Sequence, residues 1–355
     1  MNFGLIDMPP LCLLHRTQKA SSGDLWPASR SACGGRSKYD PLTDVYKRQT
    51  ATNTFHLLVE VRDVPSLGYE VLHVTPAHDA TQSDLKANGL TLENSALRVT
   101  VDSQTGCITS LYDKKSSFES IAAGGCGNEL IAFKDTPKDY DAWNIDANFE
   151  QHFDKLDKAD SVQLIESGPL RATIRVTRTW QNSKFVQDIS LYAGLDRVDI
   201  ANHIDWHETH VLLKAAFPLA ASSDSATFEI PYGSIERPTT RNNSWEAAKF
   251  EVPALRWADL GDAQRGFSLI NNSKYGYDAK GNVLRLSLLR SPTWPDPDAD
   301  RGHHDFSYSL YPHAGTWKQA LTVRRGYEFN YKLEAEQLEA HEGTLPPQQL
   351  SLIHI

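Results

Sequence analysis

From about residue 90 onward, apolar and polar positions alternate with a period of two, the pattern of half-buried strands. Leu97-Arg98-Val99-Thr100-Val101 alternates in this way, and a polar turn from Asp102 to Gly106 leads into Cys107-Ile108-Thr109-Ser110-Leu111. That succession predicts a hairpin with a glycine-containing loop. Leu170, Ala172, Ile174 and Val176 alternate with Arg171, Thr173, Arg175 and Thr177. A polar turn at Gln181-Asn182-Ser183 follows, and then a strand from Val186 to Tyr192. Val198, Ile200, Asn202, Ile204 and Trp206 line one face of a further strand. Turns at Asn271-Asn272-Ser273 and Lys280-Gly281-Asn282 precede another, Val283 to Leu289. The best helical stretch, Lys332 to Ala340, is short.

Strands joined by short polar turns, with no helices between them, predict an all-β chain of packed antiparallel sheets. The stretch from Leu90 to Ala320, about 230 residues, is too long for an immunoglobulin-type module of about 100. A single large antiparallel β-sandwich is the expectation.

Composition narrows the function classes. Forty-five acidic against 36 basic residues, a net charge of −9, lacks the basic stripe of a nucleic-acid partner. No apolar run approaches the ~20 residues of a membrane span, so no membrane partner is expected. The four cysteines, Cys12, Cys33, Cys107 and Cys126, show no CxxC spacing. So few in a large chain predict a reducing, cytoplasmic setting without a disulfide framework. The opening MNFGLIDMPPLCLLH has no basic n-region, and Asp7 and Pro9-Pro10 break its apolar stretch, unlike a secretory signal.

Both ends read as foreign. Asp44-Val45-Tyr46-Lys47-Arg48-Gln49 translates GAT-GTG-TAT-AAG-AGA-CAG, a transposase mosaic-end adapter, and Leu350-Ser351-Leu352-Ile353-His354-Ile355 translates its reverse complement. Residues 1–49 are therefore expected to be a non-native, disordered leader, and residues 350–355 an adapter-derived tail.

Three polar clusters carry candidate chemistry. The first is Asn202-His203-Ile204-Asp205-Trp206-His207-Glu208-Thr209-His210. Its spacing is not the helical HExxH of a zincin. His203, Asp205 and His207 share a strand face and could hold a metal, but a polar face of mutually bonded His and Asp is the preferred reading. The second runs from Ser291 to Asp305. Three prolines make it a stiff loop, and it holds Trp294, four carboxylates, Arg301, His303 and His304. Arg301 could clamp sugar hydroxyls, and Gly302 would let the backbone approach; a solvated acidic loop is the alternative. The third, Pro137 to Asp146, sets Tyr140 and Trp143 beside Asp139, Asp141 and Asp146. Rings that stack on sugar CH faces beside hydroxyl-accepting carboxylates suit carbohydrate, although such a Trp could equally anchor a loop. Nothing in the spacing selects the two carboxylates a glycosidase needs.

Together these stretches resemble the C-terminal β region of the glycoside hydrolase family 38 α-mannosidases, in particular the cytosolic or vacuolar branch. The likeness is carried in order by Asp141 to Asp146, Asn202 to Glu208, Leu212 to Leu219, Tyr232 to Thr239 and Lys249 to Val252. Asn271 to Gly276, Leu286 to Pro292 and Tyr311-Pro312-His313 complete the series.

The resemblance implies a galactose mutarotase-like supersandwich over residues 89–320. Flanking it would be the end of a small β domain at 50–88 and the truncated start of a terminal β domain at 321–349. It implies a retaining, zinc-dependent α-mannosidase as parent, with nucleophile and zinc in an N-terminal domain outside this chain. No catalytic residue, metal ligand or cofactor is therefore assigned within it. The implied partners are a mannose-containing oligosaccharide and that N-terminal domain. The substrate-binding candidates are Trp143, Asp146, Asp300, Arg301, Gly302 and His304. Two rivals are a stand-alone carbohydrate-binding sandwich and a mutarotase-like epimerase. The nearest acid–base pair for the latter, His207 and Glu208, would face opposite ways on a strand.

Overall fold

The computed structural model describes residues 2–8, 55–62, 64, 65, 68–73, 82–338, 343, 346 and 348–350. The chain divides into two compact units: Thr81–Lys332, and Met1–Ala80 together with Leu333–Ile355.

The larger unit is built from three antiparallel sheets. The nine-stranded sheet has the order 161–167, 171–180, 183–192, 198–206, 302–314, 265–271, 257–261, 225–230, 233–238. The six-stranded sheet runs 153–155, 129–134, 211–218, 283–290, 276–280, 252–253, and a five-stranded sheet spans residues 86–119. One apolar cluster draws on all three, with Val99, Leu130, Ile174, Ile200, Phe217 and Leu310 among its members. The all-β antiparallel sandwich is thus the observed architecture.

Periodicity explains why these residues form these strands. Leu97, Val99 and Val101 are buried and Arg98 is exposed, so one face of the strand leaves water entirely. Val198, Ile200, Asn202, Ile204 and Trp206 are all buried. Asn202 survives among them because Gln187 Nε2 donates to its Oδ1 at 2.8 Å, and Tyr308, Asn128 and Arg178 extend this buried polar network. The predicted turn at 102–106 closes with Gly106 at φ +66°. A Cβ there would come within 2.4 Å of Val176 Cγ1, so only glycine fits.

Several expectations are corrected. The helix lies at Thr322–Asn330 and not at Lys332 to Ala340, of which 332–338 carry no regular structure and 339–340 lie outside the described residues. Thr322, Gly326 and Phe329 bury one face of the actual helix, whereas the polar 332–340 stretch has no apolar stripe to bury. That helix carries the sandwich unit to Lys332, beyond the expected limit of 320, and its start falls at Thr81, not 89. The two flanking segments, read as separate partial domains, join through an antiparallel pairing of Gly68–Glu70 with Gln348–Leu350. The leader expected to be disordered contributes a strand, Asn2–Met8, paired with Phe55–Val61; residues 1 and 9–49 of the leader and 351–355 of the tail lie outside the described residues.

Cysteine is also corrected: Cys107 and Cys126 form a disulfide, with 5.0 Å between Cα atoms. Mutual backbone hydrogen bonds between Ile108 and Gly127 set the two cysteines side by side, a proximity that counting cysteines does not reveal. No helix among the described residues is long and apolar enough to cross a membrane.

The outer face of the six-stranded sheet carries an ionic seam. Lys214, fully buried, contacts Asp278 at 2.6 Å and also Glu251. Arg285 binds Asp278 at 2.8 Å and reaches Glu150, which also takes Lys280 at 2.9 Å. Partial burial disfavours the Glu150 carboxylate, but Lys280 and Arg285 outweigh it and pull its pKa from 4.5 to about 2. A depressed carboxylate stabilises the fold above its unfolded pKa and loses that contribution as pH falls through the folded one. The gap in urea midpoint between the native chain and Glu150→Gln should therefore be full at neutral pH and close between 4.5 and about 2. A gap that does not change with pH would show that Glu150 contributes nothing through its charge.

Candidate functional site: an aromatic-tipped loop pair

The order of the six-stranded sheet places two loops side by side. Val211–Pro218 lies between Glu129–Lys134 and Val283–Arg290, with Val211 opposite Lys134 and Leu212 opposite Arg290. The chain therefore leaves both outer strands at the same end, into loops 135–148 and 291–301.

His210, just before the central strand, fastens both loops. Its φ is +54°, and this left-handed turn directs its backbone to each side. Its N–H donates to Ser291 O at 2.6 Å, and its carbonyl accepts from Asp135 N–H at 2.8 Å. Its ring Nε2 lies 3.2 Å from both Asp141 Oδ2 and Thr293 Oγ1. Asp141 Oδ2 further accepts from the backbone N–H of Thr293 at 2.7 Å and of Trp294 at 3.1 Å. Desolvation works against the Asp141 charge, but the Thr293 amide, His210 and the Trp294 amide prevail and hold its carboxyl below the usual range.

Arg290 pins the first loop from beneath. Its guanidinium donates to the carbonyls of Ala142 and Asp141 at 2.8 Å each and to that of Asn144, and it pairs with the buried Asp135. Burial pushes the Asp135 carboxyl up despite Arg290.

These ties present two indoles to solvent. Trp143 and Trp294 are 64% and 58% exposed, yet their rings meet edge to face with centroids 5.4 Å apart, a favoured aromatic geometry. Among the described residues the hydrogen bonds of the Asp141 carboxylate run through Oδ2.

The six expected residues do not all converge. Trp143 meets the loop that carries Asp300 to Gly302, through Trp294. Asp146 stays within its own loop, accepting from Lys138 N–H at 3.1 Å. Arg301 pairs with Asp298 at 3.2 Å, and His304 Nε2 lies 2.7 Å from the Asp300 carbonyl. Asp300 and Gly302 have φ values of +59° and +120°, so the chain bends sharply before entering Gly302–Ala314.

Sequence reasoning missed Arg290 and His210 as organisers of the site and kept Trp294 only as one member of a loop. A cation closing the mostly apolar run Leu286 to Leu289 was the available signal for Arg290. It also kept the first two clusters apart, whereas Val198–Trp206 pairs with Gly302–Ala314 and sets His203 opposite Asp305 and Asp205 opposite His303. His203 bonds Asp305, and Asp205 Oδ1 lies 2.9 Å from His207 Nε2 and 3.4 Å from His303 Nδ1. This is the face of mutually bonded His and Asp that the spacing favoured. No group of three or more His, Cys, Asp or Glu that could hold a metal ion is found among the described residues. Glu208 is buried and accepts from Asn182 N–H at 2.8 Å and Ser183 Oγ–H at 2.7 Å; it caps a turn and is no groove base.

Residues 92–298 match the family described as glycosyl hydrolases family 38, C-terminal domain. The chain is 38% identical over 284 residues to alpha-mannosidase 2C1 of Mus musculus, covering 77% of this chain and 27% of that protein. It is 33% identical over 255 residues to alpha-mannosidase of Saccharomyces cerevisiae, covering 68% and 24%. The chain thus spans about a quarter of the length of these curated relatives. Among solved structures, an alpha-mannosidase from Enterococcus faecalis superposes with a TM-score of 0.68 at 14% identity, over 83% of this chain and 37% of that one; this likeness concerns the fold.

Proposed function

The chain belongs to glycosyl hydrolase family 38 through its C-terminal domain, and from that premise we propose that its β-sandwich binds mannose-containing oligosaccharide for a retaining, zinc-dependent α-mannosidase. In this reading the nucleophile, the zinc and the rest of the cleft belong to the parent enzyme's N-terminal domain, a partner in the same polypeptide. The observation that carries it is the exposed Trp143–Trp294 pair, held in place by Asp141, His210 and Thr293. Rings fixed before a ligand arrives need no ordering on binding, which lowers the cost of capture. Asp141 Oδ1 would accept a sugar hydroxyl. Arg301, Asp300 and Asp146 would add polar contacts farther along the same loops and His304 from the start of the following strand, where Gly302 would admit the sugar close to the backbone. A cytoplasmic location, expected from the cysteine count, belongs to the same proposal.

Titration calorimetry with α-1,2-mannobiose tests this. Trp143→Ala and Trp294→Ala should each weaken binding about tenfold, the scale of a central aromatic anchor. The same chain should not hydrolyse an aryl α-mannoside. Unchanged affinity in both variants would remove the platform, and zinc-dependent turnover by this chain would overturn the division of labour. The stand-alone binding module predicts the same calorimetry but no need of a catalytic partner. The epimerase reading loses its base, since Glu208 is buried and engaged.

A further inference from the structure

A cavity of about 620 Å³ opens elsewhere on the sandwich unit, between the hairpin of Ser225–Ile230 with Gly233–Pro238, the strand Trp257–Gly261 and the helix Thr322–Asn330. We propose that it is a second carbohydrate site, taking one neutral hexose unit of an oligomannose chain between Tyr232, Tyr327 and Tyr331; the choice of sugar rests on the reading given above.

Four observations converge on it. First, its floor holds an unused donor. Trp257 is 1% exposed, lines the cavity and has no hydrogen-bond partner for its Nε1–H. A buried N–H without a partner costs roughly 1–3 kcal/mol, so a small shift of the enclosed indole that brings it to a ligand acceptor would be offset by the bond gained. Second, its walls are flat aromatic surfaces. Tyr327 and Tyr331 stack at 5.6 Å with 20° between planes, both partly exposed, and Trp317 lies 5.0 Å from Trp257.

Third, its charge is closed on itself. Arg256 makes a forked pair with Glu229 and lies 3.8 Å from the centroid of the Tyr327 ring. Neither ion is left to attract a charged ligand, which selects an uncharged one. Fourth, the rim is strained. Tyr232 holds φ +61° in the two-residue turn and its side chain is fully exposed. Glycine or asparagine would occupy that turn position at lower cost, yet a tyrosine stands exposed at the rim. Gly326 completes the construction, since a Cβ there would come within 3.1 Å of Trp257 Cδ1; the helix can lie on the indole because that atom is missing.

The test follows tryptophan indole N–H signals of the 15N-labelled chain by NMR during titration with α-1,2-mannobiose, with Trp257 assigned through Trp257→Phe. The Trp257 signal should move and saturate. Tyr331→Ala and Tyr232→Ala, at exposed positions, should each weaken that response at least fivefold. The double variant Trp143→Ala/Trp294→Ala should leave it unchanged. A Trp257 signal that stays fixed to about ten millimolar sugar, well past a weak sugar affinity, overturns the proposal, as does a response indifferent to both tyrosines. The Trp143 and Trp294 signals report the loop platform separately, so either site can fail without the other.

Discussion

Lys214→Met should remove about 3–5 kcal/mol of stability, the usual consequence of taking one partner from a buried ion pair. Methionine keeps most of the side chain's apolar volume, so the loss measures charge and not a cavity. In the native fold, burial alone would lower the Lys214 pKa, but Asp278 and Glu251 reverse this and hold it above the ordinary lysine value. Without the ammonium, Glu251 loses its principal cation, while Asp278 keeps only Arg285. Burial already pushes the Glu251 carboxyl up in the native chain, and losing the ammonium would raise it further. The deficit should therefore be largest at neutral pH and narrow as acid supplies the missing protons. Adding Glu251→Gln should recover part of it. Urea unfolding at pH 7 that shows a loss below about 1 kcal/mol would mean the seam is poorly desolvated in solution.

Arg290→Lys should damage the candidate site more than its conservative character suggests. The guanidinium reaches three loop carbonyls and the Asp135 carboxylate at once. An ammonium is a point charge without the planar fork and cannot replace that set. Asp135 would keep a counterion, so the stability loss should stay near 1–2 kcal/mol, the scale of lost hydrogen bonds to a charged group. Trp143 would lose the fixed backbone beneath it, and mannobiose affinity should fall about tenfold or more, equivalent to about 1.4 kcal/mol. Calorimetry and unfolding measured on one preparation separate the two effects. Equal affinity in the native and Arg290→Lys chains would show that the loop orders without its anchor.

The sandwich was largely legible in the sequence because burial on one strand face forces a period of two. Val198 to Trp206 and Leu97 to Val101 announce their inward faces without any tertiary information. The site was only partly legible. The clusters around Trp143 and Trp294 stand out by composition, but they lie some 150 residues apart, and only strand order makes them neighbours. His210 reads as one more histidine in a polar run; its role comes from a left-handed backbone that no side-chain pattern encodes. The helix at Thr322–Asn330 was hidden by Gly326, which counts against helix by propensity yet is what lets the helix approach Trp257.

The central position of Val211–Pro218 has an engineering consequence. Both loops are guyed to a single mast, so their tips can be lengthened, recoloured or swapped while His210 and Arg290 keep the rigging taut. A library that varies residues 138–146 and 293–299, with Asp141 and Thr293 held constant, would sample new glycan preferences on an unchanged hull.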